Sequence, residues 1–120
     1  MLDHELLNDA GVLVVRPKEA LSAEDFAALA VKADAYIERT GALNGLMICA
    51  EEFPGWENLD GAISHFKFVR DHHRKITRVA IVSDSDLLAA LPKLAAHFVN
   101  AEVKHFKRDQ EANALAWLTQ

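Results

Sequence analysis

Three short apolar runs limit what this chain can fold into. Val12-Leu13-Val14-Val15, Leu46-Met47-Ile48-Cys49 and Val79-Ala80-Ile81-Val82 carry no polar alternation. A strand with one wet face alternates apolar and polar residues, whereas a strand covered on both faces does not. Stretches with helical spacing separate the runs. The pattern predicts an α/β fold: a mostly parallel sheet with helices on its faces.

The remaining elements follow from local signals. Glu5 to Asn8 reads as a short first strand, joined to the first apolar run through the turn-like Asp9-Ala10-Gly11. Ser22 is placed to cap a helix, with Asp25 three residues on in the capping-box position. Phe26, Leu29, Ala30, Ala33 and Ile37 continue at helical spacing, and Gly41 stops the helix. Leu59, Ile63, Phe66, Val69 and Ile76 mark a second helix. Asp84 and Ser85 can cap a third, holding Leu87, Leu88, Leu91, Leu94 and Phe98. Pro92 either kinks that helix or starts a shorter one. Residues 101–106 alternate, with Glu102 and Lys104 on one side, which suits an edge strand. Asp109 is placed to cap a last helix with Ala112, Leu115, Trp117 and Leu118. The order is ββαβαβαβα, read as a single domain over residues 1–120.

Composition narrows the function. One thiol, Cys49, cannot form an internal disulfide, which points to a reducing, cytoplasmic setting. The start, Met1-Leu2-Asp3-His4-Glu5, lacks the basic and apolar regions of a signal peptide, and no apolar run approaches a membrane span. The net charge of −5 argues against nucleic acid as a partner. Positive charge nevertheless gathers in one place: Lys67, Arg70, Arg74, Lys75 and Arg78, with Asp71 the sole acid among them. Cations suit a helix C-terminus, and they also suit an anionic surface.

Four features together resemble the SpoIIAA-like family of the STAS/SEC14 group. They are the apolar strand leading into Glu51-Glu52-Phe53-Pro54-Gly55-Trp56; Asp60 near the next helix start; His72-His73 through Ile76, Arg78, the third apolar run and Asp84; and residues 101–106 with Glu111-Ala112 and Trp117-Leu118 behind them. The resemblance covers essentially the whole chain. It implies a (βα)n superhelix and two functional traditions. STAS domains that antagonise anti-sigma factors carry a phosphorylatable Ser at the start of the helix after this strand. Residues 51–61 contain no Ser or Thr, and Ser64 is the nearest hydroxyl, so that phosphoswitch is expected to be missing. The SEC14-like tradition implies an apolar or lipid-like ligand and contact with a membrane surface.

The candidate site follows from these readings. Phe53 and Trp56 flank a Pro-Gly turn beyond a strand C-terminus, where open α/β sheets bind ligands. Rings there either cap the core or form a lid or an interfacial anchor. On the next helix, Leu59, Ala62, Ile63, Phe66, Val69 and His73 read as the core face. Gly61, His65, Phe68 and His72 then fall on another side, at roughly 100° per residue, leaving Phe68 exposed. Phe53 and Trp56 are expected to border the largest apolar cavity, or to stand mostly exposed beside it, together with Phe68. Asp60, His65 and His72 are its candidate polar residues, and Lys67, Arg70, Arg74 and Lys75 the candidate membrane or anion contacts.

No metal or cofactor is expected. His65 and His72 are seven residues apart, whereas helical metal pairs favour a spacing of four. Asp60 and His65 could form an acid–base pair, but no nucleophile or phosphate loop accompanies them, so no enzyme activity is expected. The sequence thus favours a binding domain for an apolar or lipid-like ligand, peripheral to the inner face of the membrane. The alternative is a STAS-type protein-interaction module in bacterial regulation. A second copy of the chain is a further candidate partner.

Overall fold

The computed structural model describes residues 2–120; Met1, part of the N-terminal stretch read above, lies outside them. The elements are β1 (Asp3–Leu7), β2 (Val12–Arg16), α1 (Ala23–Thr40), β3 (Leu43–Cys49), α2 (Leu59–His72), β4 (Ile76–Val82), α3 (Asp86–Ala95), β5 (Glu102–Phe106) and α4 (Glu111–Leu118), the last preceded by a 3₁₀ turn (Arg108–Gln110). The strands lie in chain order, β1-β2-β3-β4-β5. β1 runs antiparallel to β2, and every later pair is parallel. The three apolar runs are the three inner strands, and β5 is an edge, as the pattern predicted.

Helix ends form where the local chemistry placed them. Ser22 Oγ accepts from the Asp25 amide at 3.2 Å, and Asp25 Oδ2 accepts from the Ser22 amide at 3.0 Å. Gly41, at φ +92°, donates back to the Ile37 carbonyl in a conformation that side chains disfavour. Four local readings need correction. β1 begins and ends earlier than Glu5 to Asn8. Ile76 opens β4 rather than closing α2. Asp109 lies inside the 3₁₀ turn, and Gln110 precedes α4. Pro92 sits inside α3, which rules out the shorter helix beginning there. It removes only the bond to the Leu88 carbonyl, within a turn of the helix end.

Side-chain alternation sorts the helices onto two faces. Leu13, Val15, Leu46, Ile48 and Val79 pack with Phe26, Leu29, Ala33 and Ile37 of α1 and Phe68 of α2. Ile81 and Val103, on that same face, pack with Leu88 and Leu91 of α3. Val12, Val14, Met47, Ala80, Val82 and Phe106 point the other way, against Ala114 and Leu118 of α4. Three helices thus share one face and α4 lies on the opposite one. Successive connections step across the sheet in one direction, and right-handed crossovers are the rule for such units. No helix among the described residues is long and apolar enough to cross a membrane.

Candidate functional site

A cleft of about 990 Å³ lies beyond the C-terminal ends of β2, β3 and β4. Its lining is mixed: charged side chains stand beside Ala50, Phe53, Pro54 and Val82. Arg16 pairs with Glu111 across it, and Arg108 Nη1 reaches Glu51 Oε1 at 2.9 Å. Phe53 lines the cleft, but Trp56 and Phe68 do not. Cys49 also borders it. Burial pushes that thiol's pKa up, which keeps it protonated and a poor nucleophile.

The face of α2 that meets the core is the reverse of the one the sequence suggested. Phe68 is only 7% exposed, and His72 is buried beside it, their rings stacked with centroids 4.2 Å apart. The His72 Nδ1–H donates to the Phe68 carbonyl at 2.7 Å, and Nε2 meets Asp34 Oδ1 of α1 at 2.8 Å. Gly61 explains why this face turns inward. A Cβ there would stand 2.5 Å from the Leu21 carbonyl oxygen, so only glycine permits the approach. Leu59, Ile63 and Phe66 consequently look outward, and Phe66 is 69% exposed.

Where α2 begins, five rings gather. His65 stacks on Phe26 with centroids 4.8 Å apart and lies 6.0 Å from Trp56 and 6.5 Å from Phe53. Trp56 meets Phe53 edge-on at 5.2 Å and lies 6.4 Å from Phe66. The Trp56 Nε1–H donates to His65 Nδ1 at 3.1 Å, so Nδ1 is unprotonated and the ring proton sits on Nε2. Burial lowers the pKa of His65 from the ordinary 6.5. Below about pH 6.5 an unfolded chain takes up a proton that the folded one resists. The contribution of His65 to stability is therefore complete above that pH and is lost as pH falls toward the folded-state value. Urea unfolding at pH 7.5 and pH 5 should show a smaller acid loss in His65→Gln than in the parent chain.

Apart from Val31 on α1, the exposed large apolar residues form two rows. Leu59, Ile63 and Phe66 make one on α2, with Trp56 beside Phe66; Leu87 and Leu94 of α3 and Phe98 just after it make the other. Between these helices Val79 and Val103 are only partly buried, although β4 is an inner strand. α2 packs on α1 and α3 on β5, with no comparable packing of α2 on α3 among the described residues. Phe53 touches the core beneath both helices at one end. At the other end the Asn100 amide donates to His73 Nδ1 at 2.9 Å.

The SpoIIAA-like family model matches residues 12–119. The chain belongs to the SpoIIAA-like family. A crystal structure of an uncharacterised protein of the DUF3478 family with a SpoIIAA-like fold, from Shewanella loihica PV-4, superposes with a TM-score of 0.75 at 24% identity. The alignment covers 98% of this chain and 92% of that one, and the likeness is one of fold. No curated protein matches the chain.

In this SpoIIAA-like domain the predicted site residues separate into four groups. Phe53, Trp56 and His65 come together at the start of α2. Phe68 and His72 belong to the core, one turn and more beyond them. Asp60 is exposed in the first turn of α2. Lys67, Arg70, Arg74 and Lys75 are exposed, but Arg70 is held by Asp71 at 2.9 Å. That hydrogen bond raises the Arg70 pKa and lowers that of Asp71. Of the outward residues, Leu59, Ile63 and Phe66 were read as core, and Leu87, Leu94 and Phe98 only as members of the third helix. Their apolar character was visible in the sequence; their direction was not.

Proposed function

We propose that this domain docks on anionic lipid surfaces through the outer side of α2 and α3 and takes an apolar chain between the two helices. The observation that carries this reading is the pair of exposed apolar rows. With right-handed crossovers and helices antiparallel to the strands, helical advance turns Leu59 and Phe66 away from α1, toward α3. The same geometry turns Leu87, Leu94 and Phe98 back toward α2. The rows then border a groove floored by Val79 and Val103. Soluble domains seldom expose so contiguous an apolar surface without a partner.

Charge selects the partner. Lys67, Arg74 and Lys75 lie on or just past α2 with no ion pair among the described residues, in a chain whose net charge is −5. A basic residue at an anionic bilayer contributes about 1 kcal/mol. Trp56 stands 40% exposed at the head of the same helix, where an interfacial ring is favoured.

The test is sedimentation and Trp fluorescence with phosphatidylserine–phosphatidylcholine vesicles, against phosphatidylcholine alone. Binding should require the anionic lipid and weaken with salt. Lys67→Ala with Arg74→Ala should lower affinity roughly 30-fold, from about 1 kcal/mol each. A blue shift should accompany binding and vanish in Trp56→Ala. No binding to vesicles, detergent or fatty acid would overturn the reading.

A further inference from the structure

We propose that His65 is a proton-operated latch on Trp56: protonation of its Nδ1 breaks the indole hydrogen bond and frees the Trp56 ring to enter the bilayer interface. This regulation rests on the docking reading above. The geometry sets it up. The Trp56 Nε1–H points at Nδ1 across 3.1 Å, and an indole nitrogen can only donate. When Nδ1 takes a proton from solvent, its lone pair is used and two N–H groups confront each other. The contact must open.

The ring, rather than the loop, is what moves. The backbone on both sides of Trp56 is pinned by Leu21: its amide donates to the Gly55 carbonyl at 2.9 Å, and its carbonyl accepts from the Glu57 amide at 2.7 Å. His65 itself is wedged against Phe26 by stacking and stays in place. The indole is already partly exposed; its ring rests against Phe53 and Phe66, and its polar edge is held by His65 alone.

The charged groups within a few residues of this ring cluster in sequence are Glu24 and Asp25 at the start of α1, Glu51, Glu52 and Glu57 in the preceding loop, and Asp60, Lys67, Arg70 and Asp71 on α2. None of them shifts the titration of His65; burial alone does, and it moves protonation to a lower pH than that of a free imidazole. An anionic membrane concentrates protons at its surface, so the latch would open where the ring is needed.

The experiment compares vesicle binding at pH 7.5 and pH 5 for the parent chain and His65→Gln, using phosphatidylserine–phosphatidylcholine vesicles. Glutamine accepts from the indole but does not titrate, and the other histidines remain in both proteins. The parent should bind about tenfold more tightly at pH 5, the worth of burying one large ring. His65→Gln should lose most of that rise. Trp56 emission without vesicles, isolated by difference against Trp56→Phe, should titrate in the parent and stay flat in His65→Gln. An equal rise in both proteins, or a parent that binds equally at both pH values, would overturn the latch and leave docking intact. No vesicle binding at either pH would overturn docking and the latch with it. Should His65→Gln fail to fold, the indole N–H resonance of the parent decides. It must shift with the midpoint of the binding curve, and a different midpoint refutes the latch.

Discussion

Gly61→Val is expected to destabilise the domain by about 3 kcal/mol, the upper end of what overpacking usually costs. For a chain of this length that is a fall in Tm of roughly 10–15 °C. On helix propensity alone, losing a glycine should help by several tenths of a kcal/mol. Sterics reverse the sign, because a Cβ would stand 2.5 Å from the Leu21 carbonyl oxygen. That oxygen cannot easily step aside, since it accepts from the Glu57 amide at 2.7 Å. Thermal unfolding followed by circular dichroism is sufficient. An unchanged or raised Tm would mean that α2 does not approach Leu21 this closely, and the inward orientation of Phe68 would fall with it.

Phe66→Glu combined with Phe98→Glu should leave Tm nearly unchanged yet remove vesicle binding. The two rings are 69% and 73% exposed, so the folded chain loses little packing, and surface changes of this kind usually cost within about 0.5 kcal/mol. Each ring fully buried in lipid contributes roughly 1.5–3 kcal/mol, so their loss should lower affinity at least 100-fold, before repulsion from anionic headgroups is added. The measurement is co-sedimentation with phosphatidylserine-containing vesicles beside a melting curve. Full binding by a folded double variant would exclude the groove as the lipid-facing surface. A large drop in Tm would show that the two rings are packed rather than free.

Much of the fold was legible in the sequence, because its signals are local. The unalternating runs require cover on both faces, which makes β2, β3 and β4 inner strands. Ser22, Asp25 and Gly41 bound α1 through hydrogen bonds that span only a few residues. The candidate site was partly legible: Phe53 and Trp56 do meet, and His65 joins them. Its polar surroundings were hidden because they come from distant parts of the chain. Arg108 and Glu51 are 57 residues apart, and Arg16 and Glu111 are 95 apart.

Helix α2 marks the boundary between the two kinds of information. The sequence determined that it would be a helix with two apolar stripes, one rich in aliphatic residues and one built from Gly61, His65, Phe68 and His72. By hydrophobicity the aliphatic stripe should face the core. Packing reverses this: the close pass over Leu21 admits no side chain at Gly61, and Asp34 supplies a partner for the buried His72 ring. Inward direction therefore depended on fit and on satisfied hydrogen bonds, which no stripe carries by itself. The more apolar stripe was left outside, where burial against a lipid surface would supply what the core did not.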